Sequence, residues 1–401
     1  MTRLNNRYRC RVQGGAIVFE HVAKNPGSNM PQKLHMTFER TIRVPDNADK
    51  SELPPSFGSF PLYKVRDYAT RLPAEITNKG GVFFPMYQKE AMWIDFKADA
   101  PFMIKIYAGG VNVVSGEHAA EDLNTKIRRQ ELADKGENVQ DYVVAPLQRW
   151  IDGIAVSPGV VRQFVAMPMG QGYSVEAQLT GQKVVGGMQF EVTPTLPMIK
   201  EPIRGPRLPR PSGDSGSIDA IAMSARAMGI SAGGKIVQNI VKDTVDPERW
   251  NKKSTMTIPV HILNSEAFRQ VTDRDPHPCP ITASDYAQAG FPFFRMYEEP
   301  TDVSGRFGAV RSVNTLDIDR GLVDDDESSV KPRIVDLRNP GRVDLSTVED
   351  PHGLVDPAGP LLDFRPLAEL EQELEDADES SETLSEPESE DVDVKSEDSD
   401  Y

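Results

Sequence analysis

Apolar and polar residues alternate through much of the first two hundred positions, the period of a strand with one buried face. Leu34, Met36, Phe38, Ile42 and Val44 share one face, with Lys33, Thr37, Glu39 and Thr41 opposite. Arg40 falls on the apolar side, where it needs a partner or a place at the rim. Tyr8, Cys10 and Val12 alternate with Arg7, Arg9 and Arg11. Tyr173, Val175, Ala177 and Leu179 alternate with Ser174, Glu176 and Gln178, and Met188, Phe190 and Val192 with Gln189 and Glu191. Phe102–Tyr107 and Val111–Val114 flank Gly109-Gly110, a hairpin signal because glycine readily adopts positive φ. Short strands separated by turn residues predict a mainly antiparallel β-sandwich or barrel-like body with a few short helices. One helix is expected over Glu117–Lys135, which is rich in Ala, Leu, Glu and Arg.

The pattern changes after residue 193. Pro194, Pro197, Pro202, Pro206, Pro209 and Pro211 forbid continuous helix or sheet, so 194–217 reads as a linker or long loop after a β-rich body at 1–193. Residues 218–320 read as an α+β segment that completes this body. Within it, the Ala-, Met- and Gly-rich stretch Ile218–Val241 predicts weak helix, and Thr257–Leu263 a strand. Ser265–Val271 predicts a short helix with Asn264 or Ser265 as N-cap. Thr282-Ala283-Ser284-Asp285 resembles a capping box, and Gly290 is placed to end the helix it would open. Phe291, Phe293, Phe294, Met296 and Tyr297 read as core, or else as a surface for a partner. Beyond about Gly321 order is expected to fade, leaving 321–401 as a mostly disordered tail. Leu361–Glu375 is the exception, an amphipathic helix with Leu367, Leu370 and Leu374 on one stripe.

Charge sharpens that boundary. Residues 366–401 hold sixteen acidic residues and one lysine, a net of −15, whereas residues 1–365 hold 45 acidic and 44 basic residues, a net of −1. Such a tail cannot bury enough apolar area to fold. The near-neutral body has no basic patch of the size a nucleic-acid binder needs, so no direct nucleic-acid contact is expected. Cys10 and Cys279 are too few for a disulfide framework or a Cys-rich zinc site, which fits a reducing compartment. Residues 1–7 lack an apolar run, so no secretory signal is expected, and the most apolar stretch, Trp150–Gly170, contains Asp152, Pro158, Arg162 and Pro168. No transmembrane segment is expected, and the location inferred is cytoplasmic or nuclear.

Several motifs fall short of chemistry. Gly229–Ile236 approaches the phosphate-cradling loop G-x-x-x-x-G-K-[ST], but Ile236 cannot ligate magnesium, so a plain glycine-rich loop is the better reading. Gly213-Asp214-Ser215-Gly216 resembles a protease nucleophile turn without a suitable histidine. His277-Pro278-Cys279 offers two soft ligands and nothing nearby to complete a tetrahedron. Cys279 could act as a nucleophile only with a histidine close in space. The tail offers more. Thr383 and Ser385 each precede a glutamate by three positions, an acidic context for phosphorylation. Val394-Lys395-Ser396-Glu397 matches a SUMO-acceptor pattern at Lys395. Leu367, Leu370 and Leu374 form a stripe suited to a partner's groove or to the chain's own body.

Gly80–Gln88, Arg162–Gly170 and Thr282–Tyr297 resemble segments of an uncharacterised bacterial and fungal protein family, some of whose members carry the label "integral membrane protein". The resemblance spans roughly residues 40–315 and implies no activity, cofactor or catalytic residue. The reading that follows is a non-enzymatic binding or scaffold protein, with a protein partner engaged through a regulated acidic tail. No catalytic, cofactor-binding or metal-binding residue is assigned. The alternative is an enzyme, in its specific form a carboxylate-based hydrolase, with scattered residues among Asp152, Arg162, Glu176, Gln178 and His261. A deep pocket holding two of these would favour it.

Overall fold

Glycine pairs, caps and buried alternation set the chain's elements, seen in a computed structural model that describes residues 7–22, 32–120, 123–181, 186–196, 227–296, 298–322 and 333–336. The first strands are β1 (Arg7–Gln13), β2 (Ala16–Val22) and β3 (Lys33–Thr41), followed by the two-residue β4 (Lys50–Ser51) and β5 (Tyr63–Lys64). Next come β6 (Val82–Met86), β7 (Ala91–Ala98), β8 (Phe102–Ala108), β9 (Val111–Asn112) and β10 (Val143–Ala145). The series continues with β11 (Trp150–Ile151), β12 (Gly153–Ser157), β13 (Val160–Pro168) and β14 (Met188–Pro194). The last four are β15 (Ala227–Val237), β16 (Met256–Asn264), β17 (Pro292–Arg295) and β18 (Arg333–Asp336). Short helices connect them: α1 (Ala74–Thr77), α2 (Leu123–Asp134), α3 (Val175–Thr180), α4 (Ser265–Thr272), α5 (Ala283–Gln288) and α6 (Val313–Asp319).

Among the described residues, sixteen strands join one sheet whose main path runs β1-β2-β3-β7-β13-β15-β16-β14-β8-β10. The pairing is antiparallel except for β4 on β15 and β6 on β16. The path curls back on itself. β10 pairs with β8, and after Ala145 the chain runs on to β11, which pairs with β7. The Phe96 N–H also donates to the Arg149 carbonyl at 2.7 Å. The result is a barrel-like body in which β15 and β16 are central strands, although they follow the proline-rich stretch.

Its interior is aromatic. Phe84 stacks on Phe60 at 4.9 Å and lies 5.0 Å from Phe38, whose other side meets Phe190 edge-on at 5.7 Å. Phe83, its neighbour in sequence, points the opposite way into an outer cluster with Phe268, Val271 and Leu72 beneath α4. Strand β13 behaves alike. Phe164 and Ala166 face the main core, while Val165 and Met167 pack with Tyr173, Val313 and Leu316. Strands covered on both faces lose the alternation of a half-buried strand, which is why Gly80–Gln88 and Arg162–Gly170 read as continuous apolar runs.

Several expectations hold in detail. Asn264 caps α4, Thr282 and Asp285 form a capping box on α5, and Gly109-Gly110 turn β8 into β9 with Ala108 opposite Val111. Arg40 does find a partner, the buried Glu90, at 3.5 Å.

Others are corrected. Tyr173–Leu179 is not a strand: Ser174 accepts a hydrogen bond from the Ala177 N–H and opens α3, and Gly181 ends it at φ +67°. A seven-residue window does not separate the two periods, and the caps decide. Ile218–Val241 is not helical from residue 227 onward, because Ala227–Val237 is β15. Its glycines serve close approach: a Cβ at Gly234 would lie 2.3 Å from the Pro45 carbonyl, and one at Gly233 2.6 Å from the Val165 side chain. The expected glycine-rich loop at 229–236 is therefore strand. The helix at 117–135 begins only at Leu123. Within the stretch expected to be disordered, Arg333–Asp336 forms β18, parallel to β17. Of the aromatic cluster, Phe293 is buried but Phe291 and Met296 are exposed, and Tyr297 lies outside the described residues. Pro194 belongs to β14 rather than to a linker. No helix among the described residues is long and apolar enough to cross a membrane.

Candidate functional site

The polar residues singled out as candidate catalysts are scattered and each is already engaged. Arg162 donates to the Gly233 carbonyl at 3.0 Å and pairs with Asp46 at 3.5 Å. Glu176 accepts the N–H groups of Gly110 at 3.0 Å and Gly186 at 3.2 Å, pinning two turns. Gln178 holds the backbone of Tyr173 and Arg311. His261 is 3.0 Å from the Gly80 carbonyl, and burial holds its imidazole below the usual histidine value. Asp152 accepts from Gln238 at 2.8 Å. None of the five lines the clefts described below. The positions proposed in the tail, Leu367, Leu370, Leu374, Thr383, Ser385 and Lys395, and the turn Gly213–Gly216, lie outside the described residues.

His277 lies against a carboxylate rather than the thiol two residues on. Its Nε2 is 2.8 Å from one oxygen of Glu90 and 2.9 Å from the other, and its Nδ1 is buried with no hydrogen-bond partner among the described residues. Tyr87 Oη donates to the His277 carbonyl at 3.0 Å, and Arg40 to the Pro278 carbonyl at 3.0 Å. With Glu90 and His277 both enclosed, this cluster ties the loop after α4 to the start of β7. It is a structural latch. Among the described residues no group of three or more His, Cys, Asp or Glu side chains converges as metal ligands would.

The surface instead carries a run of three clefts linked through shared residues. The largest, about 960 Å³, is lined by Leu147, Trp150, Pro158, Val241, Met296 and Pro300, with Arg149, Lys242, Glu298 and Asp302 among its polar lining. Asp302 also lines a second cleft of about 370 Å³ against α2, with Arg129, Asn138, Gln140 and Arg306. Glu117 and Arg306 then continue into a third of about 490 Å³, lined by His118, Thr125, Arg128, Leu179 and Thr180. Together they form a groove along 296–306. One end is apolar, where Leu147 is 48% and Met296 39% exposed. The other end is cationic.

Side-chain amides tie the groove wall together. Gln148 accepts the Val241 N–H at 2.7 Å and donates to the Trp150 carbonyl at 2.9 Å. Gln140 accepts the Asp243 N–H at 2.9 Å and donates to the Tyr142 and Val241 carbonyls. Glu298 accepts the Asn239 N–H at 2.5 Å, and Thr301 Oγ1 donates to the Ile240 carbonyl at 2.6 Å. Segment 239–243 is thus clamped from both sides by side chains in place of a sheet ladder. Behind this wall, burial pushes the Asp152 carboxyl up to about 7, with the Glu298 charge adding to the rise and hydrogen bonds from Trp150 and Gln238 opposing it. Burial also raises Glu298 above the usual carboxylate range, against hydrogen bonds from Asn239.

The groove joins loops from four distant parts of the sequence, so reading along the chain missed it. Its visible signal was the glutamines and asparagine near strand ends, Gln140, Gln148, Gln238 and Asn239, residue types suited to holding loop backbone. A scan against protein-family models returns no match, and searches of curated proteins and of solved structures return none either.

Proposed function

We propose that this chain is a non-enzymatic binding or scaffold protein whose body receives an extended segment of a partner protein in the groove along 296–306. The observation that carries the reading is the continuity of three clefts from an exposed apolar end at Leu147 and Met296 to a cationic end at Arg128 and Arg306. An extended peptide with a large apolar side chain at one end and negative charge at the other complements that lining. The acidic C-terminal tail, with Thr383, Ser385 and Lys395 as modification points and Leu367, Leu370 and Leu374 as a docking stripe, serves as a regulated second arm. A cytoplasmic or nuclear partner fits this reading. The test is selection of binders from a displayed random peptide library on immobilised full-length chain. Selected peptides should compete with one another and lose binding to Leu147→Glu and Met296→Glu variants. Peptides that bind both variants as well as they bind the parent would remove the groove from the reading.

A second reading draws on Glu298. A carboxyl raised by burial and lining the largest cleft is a candidate proton donor for hydrolysis, and its charge raises the proton affinity of the Asp152 carboxyl behind it. It is the weaker of the two, because Asp152 is enclosed and cannot touch a ligand in the cleft. Hydrolysis of a glycoside or ester panel that Glu298→Gln abolishes would promote it over binding.

A further inference from the structure

The cationic end of the groove is built around an ion network. Glu117 meets Arg129 Nε at 2.5 Å and Arg128 Nη2 at 3.5 Å, Arg129 reaches Asp141 at 2.8 Å, and Lys105 reaches the same carboxylate at 2.7 Å. Arg306 lines the same two clefts as Arg129 and Arg128. Its backbone is anchored by a 3.0 Å hydrogen bond from its N–H to the Ser115 carbonyl, next to buried Phe307, while its side chain is exposed and joins no ion pair among the described residues. His118 lines the same cleft, and its Nδ1 accepts the Ala120 N–H at 3.1 Å, which places the ring proton on Nε2 as a donor.

We propose that the 490 Å³ cleft between Arg128, Arg306 and His118 is an anion subsite that accepts a phosphoryl group carried by the partner segment. The inference rests on the groove reading and names the chemistry of one end of its ligand. The exposed Arg306 guanidinium, the Arg128 guanidinium that also contacts Glu117, and an imidazole N–H match the three acceptor oxygens of a phosphate monoester better than the two of a carboxylate. Among the described residues no Phe, Tyr or Trp lines the cleft to offer a nucleotide base a stacking face.

The experiment is calorimetric titration of the full-length chain with inorganic phosphate and with O-phosphoserine, using acetate at matched ionic strength as the reference anion. Saturable binding is expected for both phosphates and none for acetate. Arg306→Gln is expected to weaken it by roughly tenfold or more, and Arg306→Lys to restore part of the loss. Arg66→Gln, which removes an equal charge at an exposed site remote in sequence, is expected to leave it unchanged. No saturable phosphate binding, or equal binding by Arg306→Gln, would overturn the proposal, with circular dichroism of each variant confirming the fold. Phosphate binding without any groove-dependent peptide would keep the subsite and sink the groove reading. Groove-dependent peptides without phosphate binding would sink the subsite alone.

Discussion

The substitution Asp152→Asn removes one buried titrating carboxyl and leaves its shape, and the consequence for stability can be worked through. The carboxyl titrates near 3.8 in the unfolded chain and near 7 when buried in the fold. Between those values the native state holds a proton that the unfolded state has released. Stability therefore falls as pH rises, by about 1.4 kcal/mol per pH unit, and levels off above the folded value. Between pH 5 and pH 8 the loss from this group is about 2.5 kcal/mol, out of about 4 kcal/mol across the whole window. The asparagine side chain cannot titrate, and it keeps an amide oxygen for the Gln238 donor. Glu298 titrates in both proteins, so the difference between them reports Asp152 together with its coupling to Glu298. Urea unfolding of both proteins at pH 5 and pH 8, at one ionic strength, measures it. The stability gap should move in favour of the variant by about 2.5 kcal/mol from pH 5 to pH 8. A gap that stays constant within about 0.5 kcal/mol would refute the burial argument.

Three further expectations can be checked by the same unfolding assay. Phe84→Ala removes the ring shared by Phe60 and Phe38 and should cost about 3–5 kcal/mol. Gly234→Ala places a Cβ 2.3 Å from the Pro45 carbonyl and should cost about 1–3 kcal/mol, whereas Gly308→Ala, with nothing within 4 Å, should change little; equal effects would disprove the close-approach account of β15. His277→Ala leaves the Glu90 carboxylate buried with only the Tyr87 N–H and a distant Arg40, an expected loss of about 3–5 kcal/mol. The double change Glu90→Leu/His277→Leu should be milder than that single one, and a double variant that unfolds more readily would contradict the latch.

The legibility of the chain followed the range of the forces involved. Strand β3 was plain because Leu34, Met36 and Phe38 each turn inward while Lys33, His35 and Thr37 stay half-exposed. Caps were legible for the same local reason, as Asn264 and Thr282 show. Segments with two competing local readings were not. Tyr173–Leu179 alternates like a strand, but the Ser174 cap and Gly181 stop win. Ala227–Val237 has the composition of a weak helix, yet it forms a central strand because β13 and β16 flank it and Pro45 crosses it. The groove was illegible because Gln148, Asn239, Glu298 and Arg306 meet only after the sheet has curled.

By itself, the sequence determined that the body is β-rich, where some of its turns and helix caps fall, and that its charge is divided between a neutral body and an acidic end. These depend on residue preferences and on periodicity over a few neighbours. The tertiary structure alone decided which strands pair, that β6 and β13 are buried on both faces, and that Glu90 and not Cys279 is the partner of His277. It also decided that residues from 115 to 306 assemble one groove. Contacts between residues tens to hundreds of positions apart set these outcomes, and their free energy is realised only when the sheet closes around its core.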